Sequence, residues 1–163
     1  MRVLGLDPGL QRTGWGVLES HGNRLTGLAA GVLTSTASDT LAERLASLFR
    51  KLQTVMEEWQ PDVAAVEETF VNTNPRSALK LGQARGVVLM APAYFKVPVF
   101  EYAANTIKKS VVGAGHADKV QVQAMLKILL PTLSVSQPDA ADALAVAICP
   151  AHHVPFATAA VRA

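Results

Sequence analysis

The run Val63-Ala64-Ala65-Val66 is apolar at every position and ends on Glu67. A strand without polar alternation offers no face to solvent, so it belongs inside a sheet covered by helices on both sides. That requirement selects an α/β architecture. Upstream, Leu41, Leu45, Leu48, Leu52, Val55 and Trp59 recur at three- and four-residue steps, the stripe of an amphipathic helix. Ser38 or Asp39 is expected to cap this helix and Pro61 to end it. Downstream, the polar stretch Asn72 to Asn74 precedes Pro75, and a second helix is predicted from there to about Tyr94.

The first 34 residues read as three strands: Val3 to Leu6, Gly14 to Ser20 and Leu25 to Leu33, broken at Asp7-Pro8-Gly9 and His21-Gly22-Asn23. Such short turns favour an antiparallel meander. Val97 to Tyr102 is predicted as a fifth strand. A short basic helix over Ile107 to Val112 and longer ones over Lys119 to Leu130 and Pro138 to Cys149 follow. A meander followed by crossovers through helices gives a mixed five-stranded sheet flanked by helices. Residues 1–150 are expected to form one domain and 151–163 a weakly ordered tail.

At 163 residues the chain is long enough to bury a full core, and its 50% apolar and 17% charged content excludes a disordered polymer. The lone Cys149 excludes an internal disulfide framework and a thiolate metal cage. The apolar runs are too short to span a bilayer, and no signal-peptide core precedes Asp7, so a cytoplasmic location with no membrane partner is expected.

The chemistry lies in the acids. Asp7 closes the first strand and Glu67 the fourth, so parallel neighbours would bring both out at one sheet edge. Asp139 and Asp142 are three apart and share a face of the last helix. Singly each has a plainer account: Asp7 can hold its turn, and Asp139 suits the first turn of a helix. Jointly, four close carboxylates repel one another unless cations sit among them, and oxygen ligands suit Mg²⁺ or Mn²⁺. Two such ions about 4 Å apart are suited to phosphodiester hydrolysis, with a water activated and the leaving oxygen stabilised. Setting the four aside leaves 9 acidic against 15 basic residues, a surplus of six that favours a polyanionic partner.

Five segments then resemble, in order, the RuvC family of Holliday junction resolvases. They are Gly5-Leu6-Asp7-Pro8-Gly9 with Thr13-Gly14; Val66-Glu67-Glu68-Thr69-Phe70; Ala78 through Gly86; Phe100-Glu101-Tyr102-Ala103; and Asp139-Ala140-Ala141-Asp142-Ala143-Leu144. The resemblance runs from Met1 to about Cys149. It implies a ribonuclease H-like fold and a homodimeric endonuclease that nicks two opposing strands of a four-way DNA junction, leaving ligatable ends. It places the family's acidic tetrad on Asp7, Glu67, Asp139 and Asp142, with Asp139 where some relatives carry His. It places the junction-contacting aromatic on Phe70 and two assisting basic residues on Lys108 and Lys119. It further implies cooperation with the RuvA–RuvB branch-migration complex and a short thymine-rich cutting preference.

Beside the resemblance, Lys109, Arg76, Lys80 and Arg85 are candidates for phosphate contact, against the plainer account of solvated charge. Ala78, Gly82 and Gly86 form a stripe of small residues whose helix cost calls for close packing, on the chain's own sheet or across a dimer. Three other functions compete. Asp-x-Gly followed by Thr-Gly occurs also in sugar-kinase and actin-like phosphate binders, which need two such domains. A branched-DNA binding module would leave four convergent acids unexplained. A nuclease for RNA–DNA hybrids would share the carboxylates.

Overall fold

The computed structural model describes residues 1–68 and 74–153. Its elements are β1 (Arg2–Asp7), β2 (Arg12–His21), β3 (Arg24–Thr34), α1 (Leu41–Trp59), β4 (Val63–Glu67), α2 (Pro75–Tyr94), β5 (Val99–Tyr102), α3 (Ala104–Val112), α4 (Lys119–Leu129) and α5 (Pro138–His153). The strands form one mixed sheet in the order β3-β2-β1-β4-β5. The first three pair antiparallel, whereas β1–β4 and β4–β5 are parallel. The expected mixed five-stranded α/β sheet is therefore what forms.

Alternation along the strands sorts the core into two layers. Leu4, Leu6, Ala64 and Val66 point to one face and pack with Leu48, Leu52 and Val55 of α1 and Ala84, Val88 and Ala91 of α2. Val3, Val63 and Ala65 point to the other, against Ile107 of α3, Leu126 of α4 and Leu144 and Ile148 of α5. Helix α5 lies under the sheet centre, and its residues from Ala143 to Pro150 are all buried.

Several boundaries differ from expectation. Thr40 caps α1, not Ser38 or Asp39: its hydroxyl accepts from the Glu43 amide while the Glu43 carboxylate accepts from the Thr40 amide. The reciprocal pair satisfies two N-terminal donors, which a cap one or two residues earlier could not do. β5 begins at Val99, because the Val97 amide is taken by the Pro92 carbonyl and Pro98 has no amide to give. α3 starts one turn before Ile107; Ala103 caps it without a side-chain bond, so no capping residue announces it. α5 runs on from the expected Cys149 to His153, and the rest of the expected tail, 154–163, lies outside the described residues. Pro150 removes one donor in the last turn, but the buried face around it and His153 Nδ1, 2.8 Å from the Cys149 carbonyl, keep the helix intact. No described helix is long and apolar enough to cross a membrane.

Candidate active site

Strand parity carries both terminal acids to the same side of the sheet. Val3, Gly5 and Asp7 alternate toward α5, and so do Val63, Ala65 and Glu67. β1 and β4 are parallel and in register from Val3 with Val63 to Leu6 with Val66, so Asp7 and Glu67 leave the sheet at neighbouring C-terminal ends. The first turn of α5, bearing Asp139, lies at this end of the sheet.

The close approach of α5 depends on residues without side chains. A Cβ on Gly5 would stand 2.0 Å from the Ala143 carbonyl oxygen, and one on Gly14 would stand 2.0 Å from that of Asp139. One on Gly16 would meet the Leu144 side chain at 2.6 Å. These glycines let the helix backbone rest on β1 and β2, which draws the acidic end of α5 toward Asp7. The neighbouring Thr13 is fully buried, and its hydroxyl donates to the Gly9 carbonyl at 2.6 Å. That bond ties the Asp7-Pro8-Gly9 turn to the start of β2. The Thr13-Gly14 pair thus sets the acids' scaffold.

The carboxylates sense one another. Burial, and then the charges of Glu67, Asp142 and Asp139, push the Asp7 carboxyl up from its ordinary 3.8 to about 7. Glu67 is likewise pushed up, first by burial and next by Asp142, with Lys108, Arg85 and Lys119 opposing. The outer two acids have cationic partners. Arg12 Nε donates to Asp139 Oδ2 at 2.7 Å, and Lys119 Nζ donates to Asp142 Oδ2 at 2.7 Å. The bond to Asp142 is the main reason the Lys119 ammonium holds its proton more tightly than an ordinary lysine. Lys119 is the first residue of α4, set in place by a reciprocal cap between Asp118 and Gln121. A cleft of about 280 Å³ opens beside these groups, lined by Glu67, Lys108, Lys119 and Asp142 together with apolar residues of α3, α4 and α5.

The anionic groups at this end of the sheet are all carboxylates, and oxygen ligands suit a hard divalent cation. A carboxyl that keeps its proton to about pH 7 is also what a cation-binding cluster shows when positive charge is short. Among the described residues no three carboxylate, imidazole or thiol groups are already drawn together around one point. The ion pairs to Arg12 and Lys119 engage the two outer acids.

A profile described as crossover junction endodeoxyribonuclease RuvC matches residues 3–150. The chain belongs to this family. A RuvC of Xanthobacter autotrophicus is 58% identical over 153 residues, covering 94% of this chain and 90% of that protein. One of Paramagnetospirillum magneticum is 59% identical, with 94% and 92% covered. Among solved structures, Thermus thermophilus RuvC in complex with Holliday junction substrate superposes with a TM-score of 0.88 at 31% identity over 97% of each chain. The same organism's RuvC alone gives 0.84 at 32% identity over 93% of each. The expected ribonuclease H-like fold and RuvC membership stand, and the relatives are nucleases by name.

The remaining residues singled out in the sequence fall in different places. Lys108 joins Lys119 at the acidic cleft. Lys109 faces away, into a separate recess with His152 and His153, while Arg76 and Lys80 are exposed on the first turns of α2. Phe70 lies outside the described residues. Arg85 is not a solvated charge: its guanidinium donates to the Glu67 carbonyl and the Glu101 carboxylate. Arg12 escaped notice in the sequence because its partner is 127 residues away. Buried Cys149, whose thiol is pushed up to about 11 by burial, stands outside this chemistry.

Proposed function

We propose that this RuvC-family protein resolves four-way DNA junctions by nicking opposed strands, with Asp7, Glu67, Asp139 and Asp142 holding two Mg²⁺ or Mn²⁺ ions. The observation that carries the reading is the shared parity of β1 and β4, which directs Asp7 and Glu67 together toward the acidic turn of α5. Asp7, largely buried and acted on by the charges of the other three, is the central ligand. Bound divalent ions would supply Lewis acidity, favouring the attacking water and offsetting charge on the departing oxygen.

The protein's own groups do the rest. The four carboxylates present a charge that only cations bring near a phosphodiester. Lys119, with its side chain 58% exposed, can leave Asp142 to face the non-bridging oxygens or the leaving group, where a fixed positive charge lowers the barrier. Lys108, beside Glu67, extends the positive rim along the cleft. Phe70 is assigned to stacking at the junction, and Arg76, Lys80 and Lys109 to phosphate contacts outside the acidic cleft.

Two symmetric nicks call for two sites under a two-fold axis. On α2, a Cβ at Gly82 or Gly86 would meet none of the described residues within 4 Å, so these glycines do not serve packing on the chain's own sheet. They share the outer face of α2 with Leu79, Met90 and Tyr94, which are 65%, 51% and 69% exposed. We assign this face to the homodimer. The reading also places the protein in the cytoplasm beside the RuvA–RuvB complex, and residues 1–150 as its catalytic unit.

The test is a nicking assay on a four-way junction, with duplex and RNA–DNA hybrid alongside, in Mg²⁺, Mn²⁺ and chelator. Paired, metal-dependent, ligatable nicks on the junction alone are expected. Asp7→Asn should bind the junction and not cut it. Cutting by that variant at near the wild-type rate would sink the reading, and preference for the hybrid would replace the substrate.

A further inference from the structure

Two of the segments that resemble the RuvC family, Ala78 through Gly86 and Phe100-Glu101-Tyr102, have no part in the carboxylate chemistry, yet they meet behind it. Arg85 of α2, its side chain 18% exposed, gives one arm of its guanidinium to the Glu67 main-chain carbonyl and the other to the Glu101 carboxylate on β5. The carbonyl it grips is a vulnerable one. Paired register between β1 and β4 stops at Leu6 and Val66, and the next amide of β1's turn, Gly9, is turned to Thr13 Oγ1. On the other edge, the last bond to β5 among the described residues is made by the Glu68 amide to the Tyr102 carbonyl. Glu67 therefore sits where the sheet's own bonding ends, and its carbonyl on the β1 side needs a donor from elsewhere.

We infer that Arg85 is a positioning residue for Glu67: it fixes the backbone from which this carboxylate projects, while Glu101 orients the Arg85 fork. The inference rests on the reading of Glu67 as a ligand of the site. Only a planar fork reaches both partners at once, since a lysine ammonium on one stem serves a carbonyl and a carboxylate in different directions poorly. Groups that orient a metal ligand from behind change metal affinity or rate about 10- to 100-fold when removed. The link also runs from α2, whose outer face is assigned to the dimer, straight to a catalytic strand end.

The experiment compares Arg85→Met, Arg85→Lys, Glu67→Gln and the exchanged pair Arg85→Glu with Glu101→Arg. Four quantities are read on the full chain: Mn²⁺ affinity without DNA, junction affinity in chelator, single-turnover nicking rate, and thermal midpoint. Arg85→Met should weaken Mn²⁺ binding and slow nicking about tenfold each, with junction affinity in chelator within about twofold. Arg85→Lys should fall between, and it carries the test if the Met variant loses its folding transition. The exchanged pair restores the ion pair but offers the Glu67 carbonyl no donor, so nicking should stay low. Recovery of both nicking and Mn²⁺ affinity in the exchanged pair would overturn the inference in favour of a simple α2–β5 ion pair. Wild-type behaviour of Arg85→Met would overturn it as well. If Glu67→Gln itself binds Mn²⁺ and nicks normally, the assignment of Glu67 has failed, and the inference falls with it.

Discussion

Replacing Asp7 by Asn should make the metal-free protein more stable while abolishing its chemistry. In the fold the Asp7 carboxyl keeps its proton to about pH 7, whereas in the unfolded chain it loses it near 3.8. Between those values the unfolded state binds fewer protons than the folded one, so stability falls as pH rises through the window. The loss is complete once pH passes the folded value. A separation of about three pH units at 1.36 kcal/mol each gives about 4 kcal/mol as an upper figure, and about 2 kcal/mol after solvent access is discounted. Asn is a neutral isostere that feels no repulsion from Glu67, Asp142 and Asp139. In chelator at pH 7.5 its thermal midpoint should exceed that of wild type by roughly 4 to 8 °C for a domain of this size. At pH 5 the gap should shrink, because wild-type Asp7 is then protonated in the fold. Scanning calorimetry or circular-dichroism melts of both proteins from pH 5 to 8 give the comparison. An Asp7→Asn midpoint equal to or below wild type at pH 7.5 in chelator would refute the picture of an uncompensated carboxylate cluster.

Other consequences follow from the packing. Gly14→Ala drives a Cβ to 2.0 Å from the Asp139 carbonyl, so α5 must shift; about 1–3 kcal/mol of stability and about 100-fold in nicking rate should be lost, read by melts and single-turnover assays. Gly82→Ala meets none of the described residues within 4 Å and should add about 1 kcal/mol of helix stability, whereas Gly82→Leu should shift the mass in solution from dimer toward monomer. An unchanged dimer in the Leu variant, by sedimentation, removes α2 as the contact. Asp118→Ala removes the cap that seats Lys119 and should cost about 1 kcal/mol, with a slower nicking rate but intact junction binding.

Much of this molecule was legible residue by residue. Unbroken apolarity from Val63 to Val66 demanded cover on both faces, and the structure places β4 between β1 and β5 with helices above and below. Heptad-like spacing in α1 and the Asn74-Pro75 start of α2 were local signals and held to within a residue or two. The miss at Thr40 was also local: the Thr40-x-x-Glu43 box was present in the sequence and outweighed Ser38 and Asp39. α3's early start, by contrast, had no side-chain signal at all.

The acids divide along the same line. That Asp7 and Glu67 end apolar strands, and that Asp139 and Asp142 share a helical face, are properties of short windows, because strand and helix periods are local geometry. What no window contains is the distance between a sheet and a helix folded beneath it. That was decided by Gly5 and Gly14 meeting the α5 backbone and Gly16 meeting Leu144, contacts between segments well over a hundred residues apart. Long-range pairing also chose which charges serve the site: Arg12 and Lys119 turn to Asp139 and Asp142, Arg85 turns inward to Glu67 and Glu101, and Lys109 turns away. A long charged side chain has many rotamers of similar local energy, so only the surrounding fold selects among them.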